Sequence, residues 1–148
     1  MEFEVLEFMP DGVVVTAPDG SIQYVNAMAE QLFGYERAEL LGRPIEMLLP
    51  ARFRAAHRVH RAAYQRAPRA RPMGTGLELV GLRKSGEELP VEISLAQLRV
   101  GEDAYSIAVV RDVTERKAFE ERARRLEKAE EEIRRREEAL TRRPRSTS

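Results

Sequence analysis

Hydrophobic and polar positions divide the first half of the chain into short segments with sharp ends. Val13, Val14, Val15 and Thr16 form a β-branched run between two turn tripeptides, Pro10-Asp11-Gly12 and Pro18-Asp19-Gly20. Proline presets one backbone dihedral of such a turn and glycine accepts a positive φ, so the run reads as a strand with Ile22 to Val25 as its hairpin partner. Ahead of it, Phe3, Leu6 and Met9 recur at helical spacing, which predicts a short amphipathic helix over residues 1–9. Asn26 is placed to cap a helix from Ala27 to Phe33 that stops at Gly34. Short helical pieces follow at Glu36 to Leu41 and Ile45 to Leu49. The longest internal helix is expected at Ala51 to Arg66, with Phe53, Ala56, His60 and Ala63 or Tyr64 along one side.

The second half changes period. Gly76 to Lys84 reads as a strand that turns at Lys84-Ser85-Gly86. Val91, Ile93 and Leu95 then alternate with Glu92, Ser94 and Ala96, the pattern of a half-buried strand. Gly101-Glu102-Asp103 turns the chain into a last strand, Tyr105 to Val113. Two strands, a helical crossing and three strands predict an α+β fold, a five-stranded antiparallel sheet with helices on one face. Beyond Thr114 the character changes: from Glu115 to Arg145, 21 of 31 residues are charged, which marks the end of the compact domain near residue 114. A long helix is expected over residues 115–141, followed by a disordered tail at 142–148.

Composition narrows the chemistry. The 148 residues carry 25 basic and 25 acidic side chains, a balance that favours neither nucleic acid nor an anionic membrane. The absence of cysteine excludes disulfides, thiolate metal sites and cysteinyl adducts. No apolar run approaches the length of a membrane span, and the acidic N-terminus differs from a signal peptide, so the expected location is cytoplasmic. Neither a metal-ligand cluster nor a phosphate-cradling glycine loop is present, and no nucleophile has an evident base. An enzyme is not expected, and no residue is assigned as catalytic or metal-ligating.

Three blocks carry a family resemblance. P-D-G-V-V-V-T-A-P-D-G-S-I-Q-Y-V-N-A-M-A-E-Q-L-F-G-Y resembles the opening of a PAS domain. L-R-K-S-G-E-E-L-P-V-E-I-S-L is similar to that family's central hairpin, and V-V-R-D-V-T-E-R to its closing strand and exit motif. Their order and spacing hold from about Met9 to Arg116, so residues 10–114 are assigned to a PAS domain and residues 1–9 to an N-terminal cap helix. The resemblance implies a sensory and dimerisation module of bacterial signalling, in two-component or transcriptional regulation. The chain reads either as the sensor part of a longer regulator, such as a histidine kinase, or as a PAS protein acting on a separate partner.

At the junction, Asp112 and Glu115 stand three apart, the spacing of a reciprocal helix cap, with Thr114 as a competing cap. The resemblance makes Asp112, Thr114 and Glu115 the residues that transmit a signal to an effector. Beyond them, Phe119, Leu126, Ile133 and Leu140 are spaced by seven, one core position of a heptad. The complementary position is poor on either choice, Arg122, Ala129 and Arg136 or Ala123, Glu130 and Glu137. The expectation is a parallel homodimer whose two helices pair marginally, with the sheet and the N-terminal helix helping to hold the copies together.

Leu77, Leu79, Val91, Ile93, Leu95, Ile107 and Val109 are the candidate pocket wall, with plain core packing as the first expectation for each. Absence of a cofactor is likewise the first expectation. The alternative is haem: oxygen-sensing members of the family hold the iron through a histidine on the long internal helix, which His57 matches. Leu77 stands where that branch carries an arginine. A flavin ranks lower, because the light-sensing branch needs a cysteine. Arg52 to Arg71 holds seven arginines and no acids, the one feature that favours nucleic acid. Only Phe53 and Tyr64 interleave with them, so a solvated basic face or a protein-docking surface is the preferred reading.

Overall fold

The computed structural model describes residues 4–66, 71–73 and 79–142. In chain order the elements are α1 (Glu4–Glu7), β1 (Gly12–Thr16), β2 (Ile22–Val25), α2 (Ala27–Phe33), α3 (Arg37–Leu40), a 3-10 turn (Ile45–Leu48) and α4 (Ala51–Arg66). Then come β3 (Arg71–Met73), β4 (Leu79–Leu82), β5 (Glu88–Val100), β6 (Asp103–Asp112) and α5 (Thr114–Thr141). They form two units, Met1–Val113 and Thr114–Ser148. Among the described residues no helix is long and apolar enough to cross a membrane.

All strand pairs are antiparallel, in the order β2-β1-β6-β5, and the fifth position beside β5 is shared by β3 and β4. β4 pairs with residues 88–91 of β5, and β3 with residues 93–95. The result is the five-stranded antiparallel sheet that the alternation predicted. β6 lies at its centre, bonded to β1 on one side and to β5 on the other.

Register decides which side chains share a face. Val14, Val25, Val91 and Val110 pack with Ala29 and Phe33 of α2, Leu40 of α3 and Leu48 of the turn. The opposite face gathers Val13, Val15 and Tyr24 with Leu6, Met9, Tyr105 and Ile107, so the N-terminal segment covers part of the side away from α2 and α3. Gly81 shows how tightly the first cluster is filled: a Cβ there would lie 3.0 Å from Phe33 Cε1 and 3.2 Å from Leu89 Cδ2.

Asn26 connects these layers. It is fully buried, and its Oδ1 accepts from Ala29 N at 2.9 Å, capping α2, and from Val13 N at 2.8 Å. Its Nδ2 donates to Leu6 O at 2.8 Å and to Asp11 O at 3.0 Å. On the N-terminal side, Tyr24 OH donates to Glu7 at 2.5 Å, and Arg37 bridges Glu7 at 2.8 Å and Glu30 at 3.2 Å. Burial and the Glu7 carboxylate push the Tyr24 phenol up to about 12.

Some boundaries differ from those expected. The N-terminal helix is one turn, Glu4–Glu7, and Phe3 lies outside the described residues. The helix expected at Ile45 to Leu49 is a 3-10 turn, because Pro44 and Pro50 leave too little room for an α-helical ladder. The strand expected from Gly76 is described from Leu79, and residues 143–148 of the expected disordered tail are outside the described residues.

Candidate functional site

α4 runs without glycine or proline from Ala51 to Arg66, so the chain is free to be helical there. The side that carries Phe53, Ala56 and His60 is turned outward. Phe53 is 42% exposed and Ala56 and His60 are also exposed, while the side chains of Ala63 and Tyr64 lie outside the described residues. Arg54, His57 and Arg61 are turned inward instead, at the i, i+3, i+7 spacing of one helix face.

The reason is Glu46. This residue of the 3-10 turn is 2% exposed, and a buried carboxylate requires charged or hydrogen-bonding partners. Its Oε2 lies 3.0 Å from His57 Nδ1, and its Oε1 accepts from Arg61 Nη2 at 3.0 Å. Arg58 Nε is 3.8 Å away. Arg54 Nε donates to the carbonyls of Glu46 and Leu49 at 3.1 and 3.0 Å. The Arg61 guanidinium lies against Gly20 of the β1–β2 turn, where a Cβ would come within 2.4 Å of Arg61 Cζ. Gly20 has a φ of +87°, so the backbone of this turn favours glycine.

Burial lowers the His57 imidazole below its ordinary value, and Glu46 opposes that shift only in part. The ring is therefore neutral at neutral pH. With its Nδ1–H directed to Glu46, Nε2 carries the lone pair, and among the described residues it makes no hydrogen bond.

The same contacts account for much of the arginine run. Arg52 forms a two-pronged pair with Glu88 at 2.6 and 2.7 Å, and Arg54, Arg58 and Arg61 are directed to Glu46 and its neighbours. The described part of this run thus directs its guanidiniums to acceptors within the chain.

The candidate wall residues do not form one wall. Val91 is buried in the helix-side cluster, and Leu79 and Ile93 pack against it, with Leu95 two residues further along the same face of β5. Ile107 belongs to the opposite cluster, and Val109, paired with Val13 and Ser94, shares its face. The reading of all seven as one set is corrected by register: Ala96 faces Ile107 and Ser94 faces Val109, one residue out of phase with Ile93 and Leu95. Leu77 lies outside the described residues.

At the exit, Val113 is buried and its N–H donates to Pro90 O at 3.1 Å, fastening the end of β6 to β5. Asp112 Oδ2 lies 3.8 Å from Arg83 Nη2, and Arg111 pairs with Asp11 at 3.0 Å. Thr114 and Glu115 open α5 and are exposed. Along α5, Phe119, Leu126, Ile133 and Leu140 are 70, 61, 57 and 66% exposed, and no residue of the helix is buried. Pairs at i, i+4, such as Arg125 with Glu121 and Arg136 with Glu132, support it as an independent helix.

Comparison with known proteins follows from this architecture. A family model for the PAS domain matches residues 10–115. The chain belongs to the PAS domain family. Among its relatives, the sensor protein FixL of Bradyrhizobium diazoefficiens is 28% identical over 123 residues, covering 83% of this chain and 24% of FixL. The oxygen sensor protein DosP of Escherichia coli is 31% identical over 124 residues, covering 84% of this chain and 16% of DosP. The chain thus spans about a quarter or less of each of these relatives. The crystal structure of the PAS domain of an HTR-like protein from Haloarcula marismortui superimposes with a TM-score of 0.60 at 25% identity, covering 73% of this chain and 85% of that one. This PAS domain is a sensory module homologous to segments of sensor proteins.

Within the PAS body, pattern reading missed Glu46, Arg54 and Arg61, and at the exit it missed Arg83 and the Val113–Pro90 bond. One signal for the first group was present. Glu46 is a lone acid in the apolar run Ile45 to Leu49, and the helix that follows has no acid of its own.

Proposed function

We propose that this PAS domain is the sensory and dimerisation module of a signalling protein, and that it passes a conformational change from its sheet through Asp112, Thr114 and Glu115 into α5. The observation that carries this reading is the position of β6. It is bonded to β1 and to β5, and the chain enters α5 one residue after it ends. A shift of β6 against either neighbour moves the start of that helix. We place two copies in a parallel homodimer with Phe119, Leu126, Ile133 and Leu140 of each α5 along the seam, and an effector of two-component or transcriptional type as the recipient. Exposure of all four seam residues supports this pairing, since burying them is favourable by about 25 cal/mol per Å² of apolar surface. Light scattering at micromolar concentration tests it, on the full chain and on a chain ended at Arg116. The full chain should scatter at twice its 16.9 kDa mass and the shortened one should dimerise more weakly. Monomers in both would remove the dimer and the output helix from the reading.

A second reading, haem binding through His57, is favoured by one observation. Glu46 holds Nδ1 and leaves Nε2 of a neutral, partly buried imidazole without a partner among the described residues, the arrangement of a metal-ligating histidine oriented by a carboxylate. The donor end fits the group, and the similarity to a protein named as an oxygen sensor points the same way. Haem held there would supply an iron able to bind a diatomic gas. His57 would ligate it, and Glu46 would fix the ring orientation and tautomer. Titration of the purified protein with haem should produce a Soret band that His57→Ala abolishes. Absence of the band in the unsubstituted protein would end this reading and leave the first intact.

A further inference from the structure

We infer that Glu46 is a clasp for α4: among the described residues the helix is held on the PAS body chiefly at this buried carboxylate, and it opens as a unit when the clasp is released. The inference deepens the sensory reading by naming an element that moves. It rests on that reading for its purpose, while the opening itself is measured separately.

The argument begins with what α4 does not bury. Of its residues 51–62, none is buried, and Phe53 and Val59 are 42 and 67% exposed. By contrast α2 buries Ala29 and Phe33, α3 buries Leu40 and the 3-10 turn buries Leu48. Apolar burial, which fixes α2, α3 and the 3-10 turn, thus contributes little over the described part of α4. Its attachments are polar. His57 and Arg61 hold the carboxylate of Glu46 itself, Arg58 stands 3.8 Å from it, and Arg54 binds the carbonyls of Glu46 and Leu49. Among the described residues Arg52–Glu88 is the other attachment, and as a pair exposed on both sides it is weak.

Such an arrangement is close to all-or-none. Glu46 is buried and depends on two groups of α4 for its pairing; Arg61, 22% exposed, lies against Gly20 with its Nε atom buried and without a hydrogen bond among the described residues. Loss of either half leaves a buried charge uncompensated, and outward movement of α4 hydrates both halves at once. Leu49, in extended backbone between the turn and the helix, gives the movement a natural origin. Elements with few buried apolar contacts open locally at free energies well below global unfolding.

Hydrogen–deuterium exchange of the full chain at neutral pH tests the clasp, comparing the unsubstituted protein with Glu46→Gln, Arg61→Gln and the surface-pair variant Arg52→Gln. Amides of residues 51–62 should exchange at least about tenfold faster in Glu46→Gln and Arg61→Gln. Those of β1, β5 and β6 should stay within about twofold, and Arg52→Gln should change α4 far less than Glu46→Gln does. Unchanged α4 protection would overturn the inference. So would equal loss across the sheet in both clasp variants, which would make Glu46 a general core residue, or an effect of Arg52→Gln as large as that of Glu46→Gln. A monomer in light scattering would remove the proposed dimer and leave these exchange rates untouched, so the two ideas fail separately.

Discussion

His57 is surrounded by Glu46 of the 3-10 turn and by Arg61 and His60 of its own helix, which all influence its titration. Burial dominates and holds the imidazole below its ordinary value of 6.5, so in the folded protein the ring resists protonation. In the unfolded chain it takes up its proton at the ordinary value. As the pH falls through about 6.5, the unfolded state therefore binds more protons than the folded one, and stability falls with it. Above that value the contribution is fully present. Urea titrations between pH 7.5 and 5.5 should show a loss of stability that His57→Gln flattens. An equal slope in both proteins would mean that His57 titrates as it does in the unfolded chain. The histidine itself was legible in the sequence, since its place on the long helix drew attention to it. Its partner was not, because a turn residue eleven positions away has no periodic relation to a helix face.

At the level of elements, the two long helices present opposite problems. α4 has the ends expected of it, and the face it turns inward is the polar one of Arg54, His57 and Arg61. Its apolar residues are small or few, and the need to neutralise one buried carboxylate outweighed the gain from covering them. α5 was predicted from the same kind of spacing, and its 28 residues form the expected helix. Four apolar side chains recurring by seven over about 32 Å of helix make a stripe, with ion pairs elsewhere worth only about 0.2–0.5 kcal/mol each. Pairing of two such helices depends on that stripe. Replacing Leu126 and Ile133 together by glutamate should raise the dimer dissociation constant at least about tenfold, read by sedimentation equilibrium. Helical content should persist in the monomer, checked by circular dichroism. Undiminished dimerisation would place the interface elsewhere on the PAS domain.

Across the whole molecule, Asn26 joins what the sheet separates. Its side chain bonds β1, the first turn of α2 and the carbonyls of Leu6 and Asp11, so one amide links the layers on the two faces. Asn26→Ala leaves buried donors without acceptors and should destabilise the domain by about 2–4 kcal/mol in urea unfolding. A loss below about 1 kcal/mol would show that the amide is dispensable to the fold. The capping role was readable from the sequence, where asparagine stands just before an apolar helical run. The bonds to Val13, Leu6 and Asp11 were not, since they exist only once the N-terminal segment lies on the far face of the sheet.

By itself the sequence determined the antiparallel sheet, the long final helix, the cap at Asn26 and the turns at glycine. Each of these follows from local rules: a period of two or of 3.6, a side chain that caps its own helix, a backbone that only glycine adopts without strain. Only the tertiary structure decided which face of α4 turns inward, how β5 and β6 divide the candidate wall between two sides, and where the end of β6 is fastened. Those outcomes depend on register and on charges brought together from distant parts of the chain. The energy of a buried carboxylate or of a strand pair belongs to the assembled fold, and no window of neighbouring residues contains it.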